Sequence, residues 1–391
     1  MEYVERHFNS GSPEIVRLCR TAKELYNKCN YHLRQAWADY SYLPAIGELV
    51  HLVENEDSYK NLHNTKTAKQ TIRQCLSDWS NFLKALRTFK KSPKSFNNRM
   101  PKPPKYKEEM AQVIFYNETI RSKPARQGWL VPTNDCFRIR SDRKFKQVVI
   151  TPKRFGFVIE VRYRVTPKAK PKTDKRHVCC IDLGVNNLCT ITSDQTATPI
   201  LINGRPLKSV NQWFNKHPNK KNSRKRYWRT ENYFHHASKM IVDFCVEHEI
   251  GTIIIGRNKR WKSGMNMGHV NNQHFQYIPF WNLLQKLRYK AHALGIEVVE
   301  TEESYTSKAS FLDRDPLNGS KISGKRVKRG LYRSSDGTLV NADINGSCNI
   351  GRKVIREAEI LSRLDRSVAA TPVRVNPLFG LTLQTQMVNF R

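Results

Sequence analysis

The chain of 391 residues carries 68 Lys and Arg against 34 Asp and Glu, a formal charge of +34 with an isoelectric point near 10.0. So large a positive excess repels itself in a compact fold unless a polyanion neutralises it, which sets the chain apart from ordinary metabolic enzymes and points to nucleic acid. The basic residues run through the whole sequence instead of gathering on one amphipathic helix or tail, which argues against an acidic membrane surface as the partner.

A hydrophobic content of 39%, with 10% aromatic, is enough to build cores, and at roughly 100–200 residues per domain the length predicts two or three of them. No apolar run approaches the roughly 18 residues that a membrane span needs, and the opening Met1–Arg6 lacks the charged-then-apolar order of a signal peptide. The expected location is the cytoplasm, nucleoid-associated in a prokaryote. Nine cysteines sit mostly inside apolar runs such as Val178-Cys179-Cys180-Ile181 and contain no Cys-x-x-Cys pair, so they read as small buried hydrophobes in a reducing compartment.

In chain order, Ser12-Pro13 offers a cap followed by proline at a first helical position. Ile15, Leu18, Ala22, Leu25, Cys29, Leu33 and Ala36 then recur at helical spacing. A second stripe runs Ala68, Ile72, Cys75, Leu76, Trp79, Phe82, Leu83, Leu86 and Phe89, so residues 10 to about 92 form a helical unit. The proline-rich basic stretch from Lys90 to Lys107 cannot hold a helix and reads as an extended linker, either tracking phosphates or simply solvated.

From Gln112 to Thr166 the period changes to two, clearest where Phe157, Ile159, Val161, Tyr163 and Val165 alternate with Val158, Glu160, Arg162 and Arg164, which predicts a small antiparallel β domain. Beyond Pro167–Lys172 the chain alternates strands (178–183, 188–192, 251–255, 296–299) with helices (223–245 and from Pro279), an α/β pattern. From Ser362 on, periodicity is lost and the tail reads as flexible.

Carboxylates stand at the ends of these α/β elements. Asp182 ends an apolar strand, where a buried charge is costly unless paired or metal-bound. Asp343 lies where a helix running to Ile355 would begin and serves either as its N-cap or as a ligand. Glu302 and Glu303 follow the strand that ends near Glu300. Acids at strand ends and a helix start, in so basic a chain, suit a hard oxygen-ligand site for Mg²⁺, two ions of which stabilise the attacking and leaving oxygens of phosphodiester hydrolysis.

Three blocks then carry a resemblance: Ile181-Asp182-Leu183-Gly184-Val185-Asn186-Asn187-Leu188; Glu302-Glu303-Ser304-Tyr305-Thr306-Ser307-Lys308-Ala309-Ser310; and Lys328-Arg329-Gly330-Leu331-Tyr332-Arg333-Ser334-Ser335-Asp336-Gly337 running into Asn341-Ala342-Asp343-Ile344-Asn345-Gly346. In order and spacing they resemble the TnpB family of transposon-encoded, RNA-guided DNA endonucleases, relatives of the type V CRISPR effectors. The resemblance implies a multidomain α+β and α/β fold. Residues 1–9 would be the first strand of a small antiparallel β (wedge) domain and 10–108 a helical recognition domain with its basic linker. Residues 109–172 would be the rest of the wedge domain, 173–361 a C-terminal RuvC-like, ribonuclease H-type α/β nuclease domain, and 362–391 the tail.

It also implies Asp182 and Asp343 as catalytic metal ligands. Many relatives place a glutamate where this chain has Gly256, and a subset carries it before Tyr-Thr-Ser instead, which selects Glu303; strand alternation makes Glu302 the fallback. Where many relatives insert Cys-x-x-Cys pairs, this chain has no cysteine between Cys245 and Cys348, so zinc is not expected and packing of Phe311, Leu312 and Leu331 or bound RNA would hold the loop.

Two Mg²⁺ ions, a transposon-derived guide RNA and double-stranded target DNA are the implied cofactor and partners. The expected nucleic-acid contacts are Lys220, Lys221, Arg224, Lys225, Arg226 and Arg229, interleaved with Tyr227 and Trp228, together with Lys325, Arg326, Lys328, Arg329 and Arg333. The amide-rich stretch around Trp261–Gln273 reads as a lid or an RNA contact. A chain that binds DNA through guide RNA but has lost cleavage, acting as a repressor, is the alternative.

Overall fold

The computed structural model describes residues 2–96, 99–164, 171–257, 278–328, 330–355 and 372–379. The chain divides into two compact units, Met1–Thr166 and Pro167–Arg391.

In the first unit, β1 (Glu2–Asn9) is followed by α1 (Pro13–Tyr40), two short helices, α2 (Ile46–Val53) and α3 (Asp57–Lys60), and then α4 (Thr65–Lys91). Ser12 and Asn64 cap α1 and α4 as side-chain acceptors, and α1 ends on Ser41 in the left-handed region (φ 51°). After α4 come β2 (Val113–Tyr116), α5 (Ser122–Arg126), the short pair β3 (Trp129–Leu130) and β4 (Ile139–Arg140), and the hairpin β5 (Phe145–Lys153) and β6 (Gly156–Arg164).

The antiparallel sheet runs β1-β6-β5-β2, so Glu2–Asn9 close the edge of a sheet built otherwise from residues beyond 112. One core joins the helices to this sheet: Leu25, Leu33, Ile72 and Trp79 belong to the same buried cluster as Val113, Phe115, Ile150 and Ile159.

Between α4 and β2 the proline-rich stretch is tied to α1 by its backbone. Asn27 donates to the Lys107 carbonyl (2.9 Å) and accepts from its amide (2.7 Å), while Asn30 (3.1 Å) and Arg34 (2.6 Å) both donate to the Pro104 carbonyl. Asn30 also accepts from the buried Trp79 indole at 2.8 Å. The lysines Lys102, Lys105 and Lys107 remain exposed along this strap.

The second unit is built on a mixed sheet of β7 (Asp174–Leu183), β8 (Asn187–Ser193), β9 (Ile200–Asn203), β10 (Ile250–Gly256), β11 (Glu297–Thr301) and β15 (Val373–Val375), in the order β11-β10-β7-β8-β9-β15. β7, β8 and β9 form an antiparallel meander, and β10 and β11 add in parallel beside β7.

Between β9 and β10 lie α6 (Arg205–Lys216) and α7 (Lys220–Glu247), and α8 (Phe280–Ala293) leads into β11. A small antiparallel sheet of β12 (Lys325–Lys328), β13 (Leu331–Arg333) and β14 (Leu339–Asn341) precedes α9 (Ala342–Arg352). The tail departs from its expected flexibility at Val373–Val375, which pair in parallel with Ile200–Ile202 and extend the sheet.

Strand alternation divides the two sides of this sheet. Cys179, Ile181, Ile253 and Ile255 face α7 and α8, packing with Phe234, Ile241 and Leu284, whereas Val178, Cys180 and Ile254 face α9 and pack with Ile344, Cys348 and Ile350. α9 is buried on nearly every side. Its small residues let it lie close: Ser347 donates to the Cys180 carbonyl at 2.9 Å, and a β-carbon at Gly346 would stand 2.8 Å from Asp182 Oδ2. All nine cysteines are buried and unbridged. No helix of the described residues is long and apolar enough to cross a membrane.

Candidate active site

Asp182 continues the face of β7 that Val178 and Cys180 present to α9, so it emerges where that face runs out under Gly346. Asp343 sits in the first turn of α9. It is not the cap: Asn341 fills that role, its Oδ1 accepting from the amides of Asp343 (2.9 Å) and Ile344 (3.3 Å), and this frees the Asp343 carboxylate. One carboxylate oxygen, Oδ2, accepts from Asn187 Nδ2 at 2.7 Å, and the other faces Arg326 Nη2 at 3.8 Å.

Glu302 and Glu303 lie just past the end of β11, which runs one residue further than Glu300. Glu302 turns outward, accepting from Lys353 Nζ at 2.8 Å and from the Ser304 amide at 2.7 Å. Burial raises its pKa, but these hydrogen bonds outweigh it and leave the group below the ordinary carboxylate value. Glu303 turns inward. Its backbone carbonyl accepts from the Thr306 amide (3.2 Å) and hydroxyl (2.9 Å), and Asn349 on α9 donates to the Thr306 carbonyl (3.0 Å), so the Tyr-Thr-Ser turn fixes where Glu303 enters.

The position beside Asp182 on the neighbouring strand is Gly256, one step past the Ile255–Ile181 pair. A β-carbon there would lie 2.7 Å from Glu303 Oε1 and 2.9 Å from Glu303 Cγ. The Glu303 carboxylate thus occupies the space that a side chain at 256 would take.

The acids feel one another. Burial first, then the charges of Glu303 and Asp343, push the Asp182 carboxyl well above its usual range, and Arg326 pulls it partly back. Burial, with Glu302 adding to it, raises Glu303 from 4.5 to about 7, against the pull of Lys353. Among the described residues no three Asp, Glu, His or Cys side chains close around a single point. The donor set is nonetheless all hard oxygen, and the mutual repulsion that raises Asp182 is what a divalent cation relieves, so these carboxylates suit Mg²⁺.

The raised Glu303 gives stability a pH dependence of definite sign. Because its folded-state pKa is raised, its contribution to stability is full below about 4.5 and is lost as pH rises through about 7. Without divalent cation, the melting temperature of the wild type should fall more steeply over this window than that of Glu303→Gln. Added Mg²⁺ should raise the wild-type value more at pH 8 than at pH 6. Parallel curves for the two proteins would contradict the assignment.

The loop after Glu303 is held by packing and asparagines. Phe311 is buried and its amide donates to Asn345 Oδ1 (2.8 Å), while Asn345 and Asn349 both donate to the Ala309 carbonyl (2.8 Å). Tyr332, not Leu331, supplies the buried ring, and its hydroxyl donates to the Lys308 carbonyl at 2.8 Å. Asp315 accepts from the Ser310 (2.7 Å) and Ser323 (3.0 Å) amides. The sequence pointed to Phe311, Leu312 and Leu331 for this role, and Phe311 and Leu312 do pack in the cluster beneath α9; for the polar contacts, the α9 asparagines at spacing of four were the available signal.

The basic candidates fall in two places. Lys220, Lys221, Lys225 and Arg229 are exposed on α7, whereas Arg224 is half-buried and Arg226 lies over the Phe214 ring at 4.0 Å, packed inside the α6–α7 hairpin. Lys325, Arg326 and Lys328 are exposed on β12 and Arg333 on β13, so this small sheet turns a basic face outward beside the acids, with Arg326 reaching Asp343 itself. Arg329 and the stretch 261–273 lie outside the described residues.

Residues 280–350, spanning α8 to α9, match the family model described as Cas12f1-like, TNB domain. A curated relative, the CRISPR-associated endodeoxyribonuclease Cas12f1 of Sulfoacidibacillus thermotolerans, is 29% identical over 117 residues, 30% of this chain and 25% of that protein. The matched segment therefore spans a quarter of the relative's length. The solved structure of a Cas12f1–sgRNA–target DNA complex superposes with a TM-score of 0.50 at 14% identity, covering 86% of this chain and 82% of the other, which is a likeness of fold. The sequence similarities are thus to the Cas12f1-like TNB domain and to a Cas12f1 endodeoxyribonuclease over part of the chain, and the structural likeness is one of a multidomain α+β fold.

Proposed function

We propose that the chain is an RNA-guided DNA endonuclease of the TnpB type that cuts double-stranded DNA next to a short flanking motif. The observation that carries this reading is that the charges of Glu303 and Asp343 both act on the buried Asp182 carboxyl, the three acids coming from a turn, a helix start and a strand end, in a chain of +34. Asp182, Glu303 and Asp343 would hold two Mg²⁺ ions, which supply an activated water and charge stabilisation for phosphodiester hydrolysis.

The chain's own residues prepare that chemistry. α9 and the Tyr-Thr-Ser turn fix Asp343 and Glu303, and burial leaves the charges of Asp182 and Glu303 poorly solvated and ready to exchange protons for a cation. Arg326 spans from the basic sheet to Asp343, where it can meet a phosphate entering the site. Base pairing between a transposon-derived guide and its target would carry the sequence specificity, while the protein grips backbone and shape.

In the first unit, a cleft of about 360 Å³ lined by Tyr26, Gln70, Gln74, Asp78, Lys107 and Gln112 offers amide groups suited to base edges, while Asp78 engages the Tyr26 hydroxyl and the Lys107 ammonium.

Protein purified with its RNA and given plasmids carrying a randomised flank, with and without Mg²⁺, tests the reading. Guide-dependent and Mg²⁺-dependent cutting is expected. Tight RNA-directed binding with no cutting would favour a repressor, a reading kept in view by the absence of a side chain at Gly256. The polyanion claim has its own test: affinity for nucleic acid should fall by roughly 10³–10⁵ between 50 and 200 mM salt, linear in log–log form, if about 6–10 phosphates are neutralised. A flat dependence would contradict it.

A further inference from the structure

Asn187 opens β8, immediately after the turn that follows Asp182, and is 7% exposed. Its backbone is clamped from both sides. The Gly184 amide donates to the Leu188 carbonyl at 3.3 Å and the Gly204 amide to the Asn186 carbonyl at 2.8 Å. A β-carbon at Gly184 would stand 2.7 Å from the Asn187 carbonyl oxygen, and one at Gly204 would stand 2.2 Å from the Val185 carbonyl oxygen, so two glycines permit this close approach.

The side chain so placed donates from Nδ2 to Asp343 Oδ2 at 2.7 Å. Among the described residues its Oδ1 is buried with no hydrogen-bond donor. The orientation follows from hydrogen-bonding type: turning Oδ1 toward a carboxylate oxygen would set two acceptors against each other, so the amide faces Asp343 with its NH₂. A buried amide oxygen left without a donor is unfavourable in a finished core, and such groups persist where a ligand or ion completes them.

Resting on the nuclease reading above, we infer that Asn187 is a positioning residue of the cation site. It locks the Asp343 carboxylate in one rotamer and leaves its own amide oxygen as a further hard acceptor for the cation or its hydration. The division of labour at Asp343 supports this. Asn187 holds one oxygen from the buried side, Arg326 faces the other from the exposed side, and Asn341 fixes the backbone. The carboxylate is therefore held before any cation arrives, the arrangement that gives outer partners of metal ligands their effect.

The test uses the full chain, with Mn²⁺ as the probe, read by electron paramagnetic resonance, together with the Mg²⁺ concentration giving half-maximal cleavage by the RNA-loaded protein. Asn187→Ala should weaken Mn²⁺ binding and raise the half-saturating Mg²⁺ concentration by about 10- to 100-fold. Its melting temperature in a chelator should stay close to that of the wild type, since the unmet acceptor is removed along with the hydrogen bond to Asp343.

Asn187→Asp keeps the oxygen but sets two carboxylates together. It should melt lower than the wild type in the chelator and recover with Mn²⁺, a difference that a purely structural role would not produce. Wild-type protein that takes up no Mn²⁺ overturns the nuclease reading and this inference with it. Wild-type binding with Asn187→Ala unchanged, or Asn187→Asp destabilised equally with and without Mn²⁺, overturns the inference alone.

Discussion

Glu303→Gln is expected to lower the rate of guided DNA cleavage by at least about 100-fold, roughly 2.7 kcal/mol in the barrier, while leaving RNA-directed binding to DNA unchanged. Glu302→Gln is expected to stay within about threefold of wild type. The two glutamates are neighbours in sequence but not in environment. Glu303 is turned into the space beside Asp182, where its charge helps to raise that group. Glu302 is exposed and held by Lys353, an interaction of the kind worth about 0–1 kcal/mol. Glu302 also contributes to the raised pKa of Glu303, so Glu302→Gln should move the pH dependence of cleavage slightly downward. Cleavage assays on both variants across pH 6–8.5, with filter binding on the same preparations, check this. Normal cutting by Glu303→Gln with loss in Glu302→Gln would show that the outer glutamate is the working acid.

The residues explain why some of this could be read in advance. Period-two alternation along Val178–Leu183 places Asp182 on the face of Val178 and Cys180, and α9 covers that face. The same parity argument separated Glu303 from Glu302 even though both lie beyond the last residue of β11. What local pattern could not show was which polar side chain takes which job. Asn341 and Asp343 are equally good caps by type, and only the backbone geometry at the α9 start assigns the cap to Asn341. Asn187 reads as an ordinary turn residue until Asp343, remote in sequence, is placed against it.

The apolar stripes of α1 and α4 announced helices but could not say that these bury against β2, β5 and β6 in one core. Nor could the prolines of the strap reveal that Asn27, Asn30 and Arg34 would catch its carbonyls. At Val373–Val375 three residues are too few for a period, and the strand exists because β9 offers an open edge.

Gly256→Ala is the sharper test of how the acid site is built. The added methyl would stand 2.4 Å from Ile350 Cδ1 and 2.7 Å from Glu303 Oε1, closer than such atoms approach, so one or both must move. Ile350 is fully buried and packed between α9 and the sheet, which leaves the Glu303 side chain as the freer of the two. Overpacking of this kind costs about 1–3 kcal/mol in stability. A displacement of about 1 Å at a reacting centre costs on the order of 100-fold in rate. Cleavage by Gly256→Ala should therefore fall about 10- to 100-fold while the melting temperature drops only modestly.

The decisive comparison is the exchange of positions. Glu303→Ala empties the space, and adding Gly256→Glu supplies a carboxylate from β10 into the same volume beside Asp182. The double variant should cut at least tenfold faster than Glu303→Ala alone, the opposite of what two independent lesions produce, because the second substitution is harmful by itself. Single-turnover rates at saturating Mg²⁺ measure it. If the double variant is as slow as Glu303→Ala or slower, with both proteins folded, then positions 256 and 303 do not serve one carboxylate site, and the acid at 303 works from a place that the neighbouring strand cannot reach.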